Sequence, residues 1–304
     1  MPQTVNPKAA IIATWDPGGY PESLLVRVAG NPRFADAAHH LARKMLALAS
    51  ADRRLDSIFK DGGRYLASMW SAQLEVTEGL TLAGLKVKCA NTGYISPGRA
   101  RSLLTFLCYL GYAEPRPTGQ RGGPDHYSLS EEFMAGWLAH LRLSLEAAAI
   151  VEPTISLLLD ALDDLLVFRT LVRSHGEIME EVIAATPANA RFTQAFVHRH
   201  AGSQIAHAMI LAAPTDPFPS YEPFAFSQGE MAKRFGVSRT HVRRLVDGAA
   251  EQGLIEIIPG GTLRLLDLGR LQLGVFYAAQ LLRHLIAAAR TVKALPQVFG
   301  ASGA

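Results

Sequence analysis

The sequence predicts a mainly α-helical protein with small β-hairpin wings, in which a helix–turn–helix–hairpin unit occurs twice on a helical platform. Three observations carry that expectation. Residues 227–266 read as helix, tight turn, helix and hairpin. Residues 81–114 carry the same pattern 142 positions earlier, an internal pseudo-two-fold repeat. The stretches around these two have long apolar runs at helical spacing.

Residues 1–30 read as extended, with short apolar runs from Ala9 to Thr14 and from Leu24 to Val28 around an Asp16-Pro17-Gly18-Gly19 turn. Asn31-Pro32 then opens a helix, with asparagine as cap and proline at the first helical position, running to about Ser50. A shorter helix is expected after Asp52, and another from about Arg64 to Val76.

Residues 81–114, TLAGLKVKCANTGYISPGRARSLLTFLCYLGYAE, form the first unit. Ser96 caps its second helix; Pro97 suits the first turn and Gly98 weakens it. Its hairpin, residues 115–129, is long at the tip and carries Arg116, Arg121 and three glycines, with no acid before Asp125. Such a tip suits phosphate or minor-groove contact, or is simply a loose surface loop.

A helix is expected over residues 130–150. Pro153 restarts another to about Arg173, with Leu157, Leu158, Ala161, Leu165, Phe168 and Leu171 on its apolar face. Asp160, Asp163 and Asp164 read as its wet side. Helices continue over 175–185 and 190–213, and Pro214, Pro217, Pro219 and Pro223 form a linker.

The second unit opens with a capping box, Ser227 with Glu230. Phe235-Gly236-Val237-Ser238 supplies the turn, and Ser238 caps a helix to about Gln252. Val242, Leu245, Val246 and Ala249 share its buried face; Arg239, Thr240, His241, Arg243 and Arg244 lie on the other. Gly253 stops the helix, and a hairpin follows with Pro259-Gly260-Gly261 at its tip. Residues 268–294 make one long helix with Leu271, Val275, Ala278, Leu282, Leu285 and Ala289 on one side. Helix, turn, helix and hairpin in this order is a winged helix-turn-helix.

Over residues 89–114 the offset needs no gap, and 6 of 26 positions are identical. The identities include the cap (Ser96, Ser238), the buried face (Leu103, Leu245), the helix stop (Gly111, Gly253) and an exposed arginine (Arg101, Arg243). The expected division is near residue 150: residues 1–150 with a winged helix at about 64–130, and residues 151–304 with one at about 206–266.

The chain has 304 residues, 49% hydrophobic and 19% charged, enough for two domains with cores of their own. Net charge is only +3, but it is unevenly spread. Residues 86–121 hold six basic residues against one acid, residues 227–244 five against one, and residues 152–181 seven acids against two arginines. Basic charge gathers on the two winged units. Cys89 and Cys108 sit at apolar helical positions and suggest no disulfide. No apolar run is long enough to span a membrane and no signal peptide is apparent, so a cytoplasmic protein is expected.

The arrangement resembles the multiple-antibiotic-resistance regulator (MarR) family of bacterial transcription factors, most strongly over residues 227–266 and less over 81–130. The resemblance implies winged helices flanked by helices that form a dimer interface, and binding to a pseudo-palindromic operator in double-stranded DNA. Two copies in one chain suggest a fused pseudo-dimer, a monomer complete in itself, or a chain that still forms a homodimer. The family's DNA-contacting positions fall on Arg239, Thr240, His241, Arg243 and Arg244, and in the first copy on Arg99, Arg101 and Ser102. Its wing-tip arginine fits Arg121. A small-molecule effector is also implied; Trp70, Phe168, Phe192, Phe196, Phe276 and Tyr277 could line its cavity, or be plain core.

Lys233 and Arg234 are expected to anchor phosphates. His241 suits a base edge or phosphate, or faces solvent. The rival to DNA reading is a protein-interaction module, for which Gly98 and the uneven wings speak. An enzyme is not expected: there is no P-loop, GxSxG, HExxH or dinucleotide fingerprint, and no cofactor or metal is implied. His198, His200 and His207 are spaced wrongly for a chelate, and read as structural or surface groups.

Overall fold

The computed structural model of the chain describes residues 6–93, 95–116, 126–186 and 190–300. It is mainly helical with two small antiparallel three-stranded sheets. Helix comes first, where extended structure was expected: α1 (Pro7–Ala13) and α2 (Glu22–Ala29). The cause is local. The Asn6 side chain accepts from the Lys8 amide at 3.0 Å and Pro7 takes the first helical position, a start signal that outweighs a run too short to show periodicity.

Helix α3 (Phe34–Ala51) starts at Phe34, and Asn31 instead caps the preceding turn through the Arg33 amide, 2.8 Å away. Asp52 starts α4 (Arg53–Phe59) by accepting from the Arg54 and Leu55 amides, and α5 (Gly62–Val76) follows. Then come β1 (Leu80–Thr81), α6 (Leu82–Ala90), α7 (Pro97–Tyr109), β2 (Ala113–Arg116) and β3 (His126–Leu129). Strand β3 lies between β1 and β2, with Ala113 opposite Leu129.

Next are α8 (Glu131–Val151), a 3-10 turn at Pro153–Ile155, α9 (Ser156–Asp160) and α10 (Leu165–Ala185). The helix expected to run from Pro153 to Arg173 is therefore broken. Asp164 turns its carboxylate onto the amides of Leu166 and Val167, at 2.7 and 3.3 Å, and so starts a new helix. Asp163 pairs with Arg142. The helix expected over 190–213 is broken too: a π-helical turn at Thr193–Val197 precedes Ala201, at φ +57°, and then α11 (Gly202–Ala212). A Cβ on residue 202 would overlap the Phe196 carbonyl, so only glycine fits there.

The chain continues with β4 (Phe224–Ala225), α12 (Gln228–Phe235), α13 (Arg239–Glu251), β5 (Ile255–Ile258) and β6 (Thr262–Leu265), and β6 lies between β4 and β5. It closes with α14 (Asp267–Ala294) and α15 (Pro296–Phe299). Among the described residues no helix is long and apolar enough to cross a membrane.

Contacts divide the chain into two units interleaved in sequence: residues 1–24, 66–185 and 280–304, and residues 25–65 and 186–279. Residue 150 lies in the last turn of α8, inside the first unit, so the expected division there is not where contacts part the chain. In the first unit, Phe133 stacks on Trp137 and meets Tyr112 edge-on, with ring centroids 6.0 and 5.5 Å apart. In the second, α11 packs on α3, and Phe218 lies edge-on to Phe34, His39 and Tyr277. The apolar side of α14 is buried at Ala278, Leu282, Leu285 and Ala289, but Leu271 and Val275 are exposed.

A charged cluster ties the first unit together. Arg290 of α14 reaches Asp16 at 3.4 Å and Glu181 of α10 at 2.7 Å, and Lys293 reaches Asp16 at 3.2 Å. Arg290→Met removes the bridging donor while keeping most of the volume. It should lower stability by about 1–3 kcal/mol in urea unfolding. An unchanged midpoint would show that the cluster contributes nothing.

Candidate nucleic-acid interface

The second unit builds its exposed cationic face from α12, α13 and the turn between them. Gly236, at φ +62°, ends α12 in the left-handed conformation that turns the chain, and the Val237 amide closes onto the Ala232 carbonyl at 3.0 Å. The Ser238 hydroxyl then accepts from the His241 amide at 3.1 Å and starts α13. Val242, Leu245, Val246 and Ala249 are buried, which leaves Arg239, Thr240, Arg243 and Arg244 exposed on the opposite side. Arg243 meets Asp247 one turn on at 4.0 Å, with both side chains about half exposed, a weak pairing. Lys233 and Arg234 are exposed in the last turn of α12, where cations also suit the helix dipole.

His241 departs from the expected face. It is half-buried, and its Nε2 lies 2.7 Å from the His200 carbonyl, so the ring donates to the protein backbone. Periodicity places a residue on a helix face; it carries no information about a partner 41 positions away.

In the first unit α7 has bounds that lie 142 positions before those of α13, and β2 stands in the same relation to β5. Ser96 caps it through the Arg99 amide at 3.2 Å. Arg99 and Arg101 are exposed on its outer face. The Ser102 hydroxyl is also exposed and donates to the Gly98 carbonyl at 3.2 Å. The α6–α7 connection is longer than the α12–α13 turn, six residues against three. Arg116 is exposed at the end of β2, and Arg121 lies outside the described residues. In the second hairpin Arg264 pairs across the strands with Glu256 at 3.1 Å, while Pro259, Gly260 and Gly261 are exposed at the tip.

The aromatic residues proposed to line an effector site fall in different units and pack as core. Trp70 and Phe168 are buried in the first. In the second, Phe192 lies 4.9 Å from Phe196 and 5.1 Å from Phe276, which meets Tyr277 edge-on. A cavity beside Phe192 and Phe196 measures about 10 Å³, room for one water at most. The His207 Nδ1 bonds the Tyr277 hydroxyl within the same core. Among the described residues no group of three or more His, Cys, Asp or Glu could hold a metal ion.

One polar cluster escaped the sequence reading. In the first unit His140, His175 and His284 are all buried, with His175 stacked on His284 at 5.0 Å and Trp137 against His140 at 5.1 Å. Arg283 is buried beside them. Neither ring nitrogen of His175, nor Nε2 of His284, has a hydrogen-bond partner among the described residues. Histidines on apolar helix faces were the available signal. Burial, aided by the nearby Arg283 charge, holds His140 down to about 3. Burial likewise holds His175 and His284 well below the ordinary histidine value, reinforced at His175 by His284 and Arg283 and at His284 by Arg283.

In comparisons with family models, curated proteins and solved structures, nothing matches the chain.

The buried histidines make stability depend on acid. They stay neutral in the fold, whereas unfolded histidine takes a proton near pH 6.5. Stability is therefore undiminished above about pH 6.5 and falls as the pH drops below it, by up to about 1.4 kcal/mol per pH unit for each ring. His140 continues to contribute down to about pH 3, and His207 of the other unit down to about 4. Urea unfolding between pH 7.5 and 5 should show the loss, and His175→Phe should make it shallower. The same pH dependence in that variant would remove the cluster as its source.

Proposed function

We propose that the chain is a DNA-binding transcriptional regulator that reads an imperfect palindromic operator with two non-identical winged helices. The observation that carries this reading is α13, where Arg239, Arg243 and Arg244 stand exposed while the opposite face is a continuous buried stripe. A helix of this girth fits the major groove, and an arginine fork pairs with a guanine edge for about 1–3 kcal/mol of discrimination. Lys233 and Arg234, at the end of the preceding helix, suit phosphate contact.

Support for a second reader comes from the common order of elements, the common strand order in both sheets and the 142-residue offset between α7 and α13. This is the order of elements in MarR-type regulators, and a tandem form would let one chain act as a pseudo-dimer, or as half of a homodimer. Arg99 and Arg101 are the base or phosphate contacts of the first reader, and Arg116 a backbone contact of its wing. Half-sites lie about one turn apart, roughly 34–36 Å. The first reader also favours a second reading, as a protein-docking surface, because Tyr109 and Val87 are 84% and 63% exposed.

Selection from a random DNA pool, followed by mobility-shift titration, tests both. A two-part consensus is expected. Arg243→Ala should weaken binding more than Arg101→Ala, and each lost phosphate contact should reduce the salt slope by about 0.9. No enrichment, or equal binding to all fragments at moderate salt, would sink the regulator. Loss of function in cells from Tyr109→Ser with DNA affinity intact would favour docking.

A further inference from the structure

We propose that residues 191–201 form a strap that sets the pose of α13, and that His241 is a positioning residue of the reading helix and not a DNA contact. The inference rests on the regulator reading above. The strap holds α13 at both ends. Near the N-terminal end, the His241 Nε2 donates to the His200 carbonyl at 2.7 Å. At the C-terminal end, the Arg191 guanidinium donates to the carbonyl of Gln252, the residue that caps α13, at 3.0 Å. Between these two bonds the π-helical turn at Thr193–Val197 packs against both α13 and α11.

The strap is fixed on its other side within the same unit. The Ala201 amide bonds the Lys60 carbonyl at 2.5 Å, and the Phe192 amide donates to the Gln272 side chain at 2.7 Å. Gly62, at the start of α5, approaches so closely that a Cβ there would lie 3.0 Å from the Val197 carbonyl. Two backbone features of the strap are costly. A π-helical turn is a rare conformation, often found at functional positions. Ala201 sits in the left-handed region, which a side chain disfavours. Surroundings that over-determine a segment are what keep such conformations in place.

The strap therefore transmits the position of the α4–α5 turn to the face bearing Arg239, Arg243 and Arg244. A helix anchored at one end can pivot; anchored at both, it presents its arginines at one angle. In the first reader the position 142 residues before His241 is Arg99, an exposed arginine in place of the half-buried histidine.

The test uses the full-length protein and the best DNA from selection. His241→Ala and Arg191→Ala, the latter at an exposed position, should each lower specific affinity about three- to tenfold, the weight of one hydrogen bond. The salt slope should be unchanged, because no phosphate contact is lost. His241→Gln, whose amide can still donate, should recover most of the loss, and histidine-labelled NMR should show a hydrogen-bonded proton on the His241 Nε2. A reduced salt slope in His241→Ala, undiminished affinity in both variants, or a His241 Nε2 that carries no proton would overturn the strap. If wild type binds specifically and Arg243→Ala is impaired while the strap variants are not, the strap alone fails. If wild type shows no specific binding, the regulator reading fails and takes the strap's role with it.

Discussion

Val242, Leu245, Val246 and Ala249 recur along one side of α13, and their burial determines which way its arginines face. Much of the second unit serves that stripe. Helix α12 and strand β5 pack against α13, β5 pairs with β6, and β6 with β4, so the small sheet closes one flank. The segment from Arg191 to Ala201 closes another. Three cations close together repel one another, and the apolar contact on the far side offsets that cost. Exposure of charge here is a consequence of burial elsewhere on the same helix.

The first unit handles polarity differently. Its interior holds three histidines and an arginine, and ring nitrogens such as those of His175, unpartnered among the described residues, cost about 1–3 kcal/mol each. The aromatic packing of Phe133, Trp137 and Tyr112 lies in the same unit and contributes in the opposite direction. Such an interior tolerates neutral imidazole and resists imidazolium. The first unit thus seals Arg283 and three histidines from water while presenting Arg99 and Arg101 to it.

What was legible in the chain was what is decided locally. The caps at Asp52, Ser96, Ser130, Ser227 and Ser238 each act on an amide two or three residues away, and the helices they start lie where expected. The same locality explains the failures. Ala9 to Thr14 was too short to distinguish strand from helix, and Asp164 capped a helix at a position that periodicity treats as a wet face. The site was half legible. Arg239, Arg243 and Arg244 follow from helix period alone, but the His241 bond joins residues 41 apart and the histidine cluster spans three helices. The two units draw on separated segments, and no local pattern encodes that.

The interleaving has a consequence in time. The first unit needs residues 280–304, which follow every residue of the second, whose last segment ends at 279. A ribosome adding about 5–20 residues per second therefore releases all of the second unit's sequence before the first can be completed. Arg283, His284 and Arg290 all lie in that final segment. Of the two units, the first starts synthesis before the second yet can close only after it, once the segment bearing Arg283 and His284 has been made.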